Sequence, residues 1–217
     1  TASNNLNIID YVLKDSIYGL EYIYKLVELL VFIKGLNVLI VRESKETSLR
    51  IENILESLFL YVKLAHNGED ALSIIENDSN ISLVISGYDM PILNGLELTK
   101  ILRKKDKYIH LPIIILSDEI EDSLKINLFK TGINDFIHKP VLEEELKAKV
   151  INLFSNTKQV EEINTFNKIF DDNIISSSTD TKGVIKSVSS AFSKISGYSK
   201  SELIGKHHNI VRHPDMP

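Results

Sequence analysis

The chain has 217 residues, enough for one complete domain together with pieces of others. Its 25 Lys and Arg residues against 30 Asp and Glu residues give a net charge of -5, which argues against nucleic acid as the main partner. The absence of cysteine excludes disulfide bonds and thiol catalysis.

The first apolar stretch covers residues 17–36. Four charged residues interrupt it, namely Glu21, Lys25, Glu28 and Lys34. This many charges within one stretch favours an amphipathic helix over a membrane span, so no membrane insertion is expected. We predict that this helix buries its apolar stripe against another element or another chain.

Between residues 36 and 154, five apolar runs alternate with helical patterns. The runs are 38–41, 61–64, 83–85, 113–116 and 136–137. Three of them are nearly continuous Val, Ile and Leu, which is typical of strands covered by helices on both faces. Helices are predicted over residues 51–58 and from near residues 68, 95, 121 and 141. The pattern predicts an α/β fold with a doubly wound, five-stranded parallel sheet, whose functional crevice lies beyond the carboxyl ends of the strands.

A long helix is predicted from residue 141 to about residue 170. Its apolar residues step by four and three along a seam formed by Leu146, Val150, Leu153, Thr157 and Val160. This spacing is typical of a coiled coil that would make the chain a homodimer. The alternative is a helix that packs on its own domain.

The N-terminal segment contains a repeat of a later one. Residues 10–14 (Asp-Tyr-Val-Leu-Lys) echo residues 135–139 (Asp-Phe-Ile-His-Lys), and a predicted helix follows each copy. A period close to one domain length indicates tandem domains. A chance match of five residues before an ordinary helix is the alternative.

Residues 83–91 (Leu-Val-Ile-Ser-Gly-Tyr-Asp-Met-Pro) form an apolar run that leads into a loop. This segment closely resembles the strand-end segment of two-component receivers, and the resemblance covers residues 36–155. It implies a flavodoxin-like sheet in the order 2-1-3-4-5. In that family the residue before x-x-Met-Pro is an aspartate that accepts phosphate, and here that position is Gly87.

The resemblance assigns the other family positions. The pair of acids that holds Mg²⁺ corresponds to Arg42 and Glu43, and the hydroxyl residue to Ser117. The lysine before a proline is Lys139, and the aromatic switch position is Phe136. Because glycine cannot accept phosphate and an arginine repels a cation, we expect a degenerate receiver with no bound metal and no cofactor.

The roles of the polar residues near this position allow several interpretations. Arg42 either pairs with Glu43 or Asp89 or is a solvated loop residue. Asp89 is either a relocated phosphate acceptor or a turn or capping residue. Ser117 is a natural helix N-cap, and Lys139 is a natural partner of Glu43. A crevice near Arg42, Ser117 and Lys139 would also suit a small anion.

The C-terminal stretch changes character. Residues 191–199 (Ala-Phe-Ser-Lys-Ile-Ser-Gly-Tyr-Ser) and 202–217 resemble the opening of a PAS domain of the kind found in aerotaxis receptors and other bacterial signalling proteins. His207, His208 and His213 have spacing that suits a metal, but no carboxylate or cysteine completes a ligand set. The resemblance therefore favours a PAS opening without a metal.

These observations predict four segments. Residues 1–35 would be the last strand and helix of a preceding receiver, and residues 36–155 a degenerate receiver. Residues 156–171 would be a helical connector, and residues 172–217 the start of a PAS domain. We expect a cytoplasmic, non-enzymatic module of a bacterial two-component protein that acts through protein partners and resembles tandem receivers attached to diguanylate cyclase domains. A receiver phosphorylated at Asp89 and an anion sensor are the alternatives.

Overall fold

A computed structural model describes residues 17–41, 45–78, 80–118 and 121–212 of the chain. The chain divides into two compact units, residues 1–156 and residues 157–217. No described helix combines the length and apolarity that a membrane crossing requires.

The first unit contains a five-stranded sheet in which every neighbouring pair is parallel. Its strands are β1 (Asn37–Val41), β2 (Tyr61–Ala65), β3 (Ile81–Gly87), β4 (Ile113–Ser117) and β5 (Asp135–His138). Their order across the sheet is β2-β1-β3-β4-β5. The predicted doubly wound α/β fold and its strand order are therefore confirmed.

Six helices precede, connect or follow these strands. They are α1 (Ile17–Ile33), α2 (Lys45–Ser57), α3 (Gly68–Asn77), α4 (Gly95–Arg103), α5 (Asp122–Thr131) and α6 (Glu143–Asn173). Asparagine begins two of them, because the Asn67 and Asn94 side chains accept hydrogen bonds from the backbone N–H groups of Asp70 and Glu97. At α4 the Glu97 side chain bonds back to the Asn94 backbone, which completes a capping box.

The sheet separates two apolar cores. Successive residues of β1 alternate between them, so that Val38 and Ile40 enter the first core while Leu39 and Val41 enter the second. Helices α1, α2 and α6 cover the first core, and α3, α4 and α5 cover the second. The prediction for the first helix is confirmed, because Leu29 and Ile33 of α1 are buried in the first core.

Helix α6 confirms the predicted long helix but corrects its proposed seam. Leu146 and Val150 are fully buried in the first core, and Leu153 packs half-buried against it. The predicted place of Leu146 and Val150 in an intermolecular seam was wrong, because both residues pack inside their own chain. Val160 is 57% exposed and lies in the second unit.

The second unit contains the end of α6 and a small α/β module. Strands β6 (Ser177–Thr179) and β7 (Ile185–Val188) pair antiparallel. Two short helices follow, α7 (Ser190–Ser196) and α8 (Lys200–Leu203). Ile185, Val188 and Leu203 form its core, against which Phe192, Ile210 and Val211 pack.

Arg103 joins three segments of the first unit at the end of α4. Its guanidinium donates hydrogen bonds to the backbone carbonyls of Gly132, Tyr108 and Leu111 at 2.8, 2.9 and 2.8 Å. A fourth bond reaches the Asn134 side chain at 3.2 Å. Burial lowers the pKa of Arg103, and these bonds compensate for the lost solvation of its charge.

We predict that Arg103→Met lowers the free energy of unfolding of the first unit by about 2–4 kcal/mol, because it leaves several carbonyls without a donor. Lys105→Ala is the matched control, since Lys105 pairs with Glu76 on the surface and should matter by less than about 1 kcal/mol. Urea unfolding, with hydrogen exchange read on peptides of β3 and β4, measures both. Equal effects of the two substitutions would contradict the assignment.

Asp171 connects the end of α6 to α7 and α8 within the second unit. It accepts hydrogen bonds from the Ser190 hydroxyl at 2.5 Å and backbone N–H at 3.1 Å, and from the Lys200 ammonium at 2.9 Å. The Ser190 hydroxyl and the Lys200 ammonium lower the pKa of Asp171 to about 2.

A depressed carboxylate pKa stabilises the fold above the unfolded value of about 3.9, and this contribution is lost as pH falls towards about 2. We therefore predict that Asp171→Asn weakens the second unit at neutral pH and flattens its pH dependence between about pH 4 and about pH 2. Urea unfolding across this range, with Asp172→Asn as the control, tests it. An unchanged pH profile in Asp171→Asn would refute the role.

Candidate functional site

The carboxyl ends of three adjacent strands bring together three of the predicted site residues. Gly87 ends β3 and lies beside Leu116 of β4, while Ser117 ends β4 and lies beside His138 of β5. Lys139 follows directly, and its backbone N–H donates to the Ser117 carbonyl at 3.0 Å. Arg42 and Glu43, which the sequence placed at the same edge, lie outside the described residues.

The backbone around Gly87 is closely packed. The Tyr88 N–H donates to the Leu116 carbonyl at 2.7 Å, and the Gly95 N–H donates to the Tyr88 carbonyl at 3.0 Å. A Cβ atom at Gly95 would lie 2.3 Å from the Gly87 carbonyl oxygen and 2.9 Å from Ile115 Cδ1. The first turn of α4 therefore lies directly against the end of β3, as only a glycine at position 95 allows.

Lys139 lies at the edge of the site with its side chain 13% exposed. Its ammonium lies 3.1 Å from the Asp118 carboxylate, which is 69% exposed. Burial lowers the pKa of Lys139, so the loss of solvation outweighs the attraction of this exposed carboxylate. The partner predicted from sequence was Glu43, and the described partner is Asp118.

Ser117 and Asp89 differ in their surroundings. Ser117 is buried as the last residue of β4. The N-cap role predicted for it was wrong, because α5 begins at Asp122 with Glu121 at the N-cap position. Asp89 is exposed in the turn after β3, and no cation of the described chain lies within ion-pair distance of it.

A crevice of about 440 Å³ opens beside Lys139 at this edge of the first unit. Its lining combines two cations, two acids and three uncharged residues, namely Arg50, Lys139, Glu46, Asp118, Thr47, Pro140 and Val141. Asp118 and the residues of α2 were not predicted as site residues from the sequence. Asp118 directly follows an apolar strand, so the strand-end rule could have identified it.

Phe136 lies away from this crevice, half-buried at the margin of the second core. Its ring meets the edge of Phe129 with centroids 5.8 Å apart at an angle of 72°. The ammonium groups of Lys125 and Lys149 each lie 5.7 Å from its centroid, and Lys149 also pairs with Asp135 at 2.7 Å. The aromatic ring is therefore held between α5 and α6 by apolar and cation–π contacts.

The described residues Gly87 and Lys139 at the strand ends supply no oxygen ligand for a divalent cation from their side chains. Mg²⁺ prefers oxygen ligands with one or two carboxylates, whereas Gly87 offers no side chain and Lys139 brings a positive charge. Within the described residues, no group of three or more His, Asp or Glu side chains could hold a metal ion.

Comparison with known proteins identifies the first unit. A family model described as the response regulator receiver domain matches residues 38–151. The chain is 31% identical over 123 residues to hybrid signal transduction histidine kinase D of Dictyostelium discoideum, covering 56% of this chain and 8% of that protein. It is 34% identical over 86 residues to a chemotaxis protein CheY homolog of Campylobacter jejuni, covering 40% of this chain and 66% of that protein.

Solved structures of response regulators are also similar to this chain. A two-component system response regulator/GGDEF domain protein shares 32% identity at a TM-score of 0.62, covering 70% of this chain and 62% of that one. A response regulator from Chloroflexus aurantiacus shares 30% identity at a TM-score of 0.53, covering 56% and 99%. The chain thus spans less than two thirds of several relatives, whose other parts lie beyond the similarity.

We predict that Gly95→Ala destabilises the first unit by about 1–3 kcal/mol, because the new methyl group would collide with the Gly87 carbonyl. Lys100→Ala, on the exposed side of the same helix, should change stability by less than about 0.5 kcal/mol. Urea unfolding of both variants measures the difference. A neutral Gly95→Ala would show that the contact is not as tight as described.

Proposed function

The chain belongs to the response regulator receiver domain family, and on that premise we propose that it is a receiver that cannot be phosphorylated and that relays signals through protein contacts. The observation that carries this proposal is Gly87 at the end of β3. Phosphoryl transfer to a protein requires an oxygen nucleophile, and glycine has none. The proposal places the module in a two-component signalling protein of the bacterial cytoplasm.

The charges at the strand ends support the same proposal. Phosphoryl transfer depends on neutralising negative charge, which receivers accomplish with a bound Mg²⁺. Arg42 stands in the sequence where one metal-binding acid is expected, and Glu43 is the remaining acid. At about 4 Å and an effective dielectric constant of about 20, a unit charge repels a divalent ion by about 8 kcal/mol.

Phosphorylation at Asp89 is the enzyme-like alternative. Its carboxylate is exposed beyond the end of β3, whereas the hydroxyl of Ser117 is buried. An acceptor that works with Ser117 and Lys139 must lie within hydrogen-bonding reach of the same phosphoryl group. The exposure of Asp89 favours the turn residue over the relocated acceptor.

An anion sensor is the second alternative, and among the described residues it is supported by the crevice beside Lys139. Arg50 and Lys139 would attract an anion, but Glu46 and Asp118 line the same crevice and balance their charge. Asp118 is already within ion-pair distance of Lys139. The balanced lining favours a pocket without an anion.

The exposed apolar residues of α1 support the proposal that residues 1–35 are the last strand and helix of a preceding receiver. The outward residues of this helix, Leu20, Tyr24, Val27 and Val31, step by four, three and four. The first two of these steps recur in α6, where Leu146, Val150 and Leu153 pack in or against the first core. The α1 set is 52–76% exposed, so a second sheet would cover the face that the first core leaves open.

The elements of the second unit support the proposal that residues 172–217 are the start of a PAS domain. Its antiparallel pair, β6 and β7, is followed by α7 and α8, which include residues 191–196 and 202–203 of the segments that resemble a PAS opening. Two strands with a three-residue core form a small module, which further strands would complete. The similarity to a response regulator/GGDEF domain protein supports the proposal of a diguanylate cyclase output domain.

The proposal predicts no phosphoryl adduct after incubation with acetyl phosphate and Mg²⁺, because no carboxylate occupies position 87. Intact-protein mass spectrometry measures it. Gly87→Asp alone should remain unmodified, because Arg42 still opposes the metal, whereas Gly87→Asp with Arg42→Asp is expected to become modified.

An adduct on the unmodified protein would overturn the proposal. Asp89→Asn then identifies the acceptor, since loss of the adduct in that variant would establish Asp89 phosphorylation instead. An inorganic phosphate titration followed by NMR tests the anion sensor, which requires saturable shifts at Ser117 and Lys139.

A further inference from the structure

A second pocket lies at the opposite end of the first unit's sheet from Gly87. It holds about 430 Å³ and is lined by Lys34, Gly35, Glu56 and residues 59–62, where α1 and α2 end and β2 begins. We call it the amino-end pocket, because β1 and β2 start at this edge. Its volume falls within the range of about 300–1,000 Å³ that is typical of small-molecule sites.

Two aromatic rings of this pocket are exposed. Phe59 is 52% exposed and Tyr61 is 66% exposed. The Tyr61 ring lies over Gly35, since a Cβ atom added to this glycine would be 3.5 Å from Tyr61 Cε2. Neither ring meets another aromatic ring of the described chain. Both rings are therefore available to stack on a planar ligand.

The backbone of Phe59 is strained. Its φ of 63° lies in the left-handed region, which a bulky side chain rarely adopts. Two hydrogen bonds hold it there, because the Phe59 N–H donates to the Glu56 carbonyl at 2.9 Å and the Gly35 N–H donates to the Phe59 carbonyl at 2.8 Å. Glycine would adopt this conformation without strain. An exposed aromatic ring at a strained position indicates a role in binding rather than in packing.

Two opposite charges line the same pocket. Lys34 directly follows α1, and Glu56 lies in the last turn of α2. Both side chains are exposed, and neither forms an ion pair or a hydrogen bond with any described residue, including the other. One ligand can therefore use both, with an anionic group at the ammonium and hydrogen-bond donors at the carboxylate.

We infer that the amino-end pocket binds a guanine nucleotide. The base stacks on Phe59 and Tyr61, as bases do on exposed aromatic side chains. The Glu56 carboxylate only accepts hydrogen bonds, and guanine presents two adjacent N–H donors on its Watson–Crick edge, whereas adenine presents a donor beside an acceptor. The phosphate lies at the Lys34 ammonium.

Such a site would give the module an input that does not involve position 87. The inference goes beyond the proposed function and does not depend on it, because the pocket and Gly87 lie at opposite ends of the sheet.

Titration of the complete chain with GMP, followed by NMR, tests the inference directly. We expect saturable shifts of the Phe59 and Tyr61 ring signals. AMP should bind at least about tenfold more weakly, because its base places an acceptor against Glu56. Guanosine, which lacks the phosphate, should also bind more weakly than GMP. A GMP titration without saturable shifts, or equal affinities for GMP and AMP, would overturn the inference.

Substitutions locate the site. Phe59→Gly removes one ring and relieves the backbone strain, so the fold should be retained while the affinity for GMP falls about tenfold. Tyr61→Ala should weaken binding similarly, and urea unfolding of each variant separates a lost contact from a lost fold. Unchanged GMP affinity in both folded variants would contradict the site.

Glu56→Gln tests the choice of base. It should reduce the preference for GMP over AMP, because an amide no longer offers two acceptors to guanine. Glu52→Gln is the matched control, since it lies one turn earlier on α2 and outside the pocket, and it should leave the preference unchanged. Equal effects of the two substitutions would exclude Glu56 from base recognition. A phosphoryl adduct would refute the proposed function but leave all of these outcomes as stated.

Discussion

Both faces of the central sheet must be covered, because β1, β3 and β4 are apolar on each side. Alternate residues of β1 enter different cores, so neither face can be left to solvent. Helices α1, α2 and α6 therefore pack on one side and α3, α4 and α5 on the other. This demand places α1 and the first part of α6 in the same core, although they are more than a hundred residues apart in the chain.

This architecture creates the strand-end site, but the stability of the fold does not depend on a side chain at position 87. Around Gly87 the stabilising contacts are made by the backbone, through Tyr88 and the close approach of Gly95. A side chain at position 87 is not needed for them, so the fold accommodates a glycine there.

The two halves of helix α6 lie in different environments. Its first turns contribute Leu146, Val150 and Phe154 to the first core, and its last turns expose Val160 and Phe170. Asp171 then fixes the end of the helix to Ser190 and Lys200. The same helix therefore takes part in the core of the first unit and in the polar contacts of the second.

The amino-acid sequence determined the elements, because strand and helix periodicities are local and strong over 38–41, 83–85 and 113–116. It also determined that Gly87, Ser117 and Lys139 meet, since carboxyl ends of parallel strands share one edge. Only the tertiary structure decided that Leu146 and Val150 face the chain's own core, that Ser117 ends a strand and that Asp118 pairs with Lys139. Periodicity shows which residues share a face of a helix, whereas what covers that face depends on residues that only the folded chain brings near.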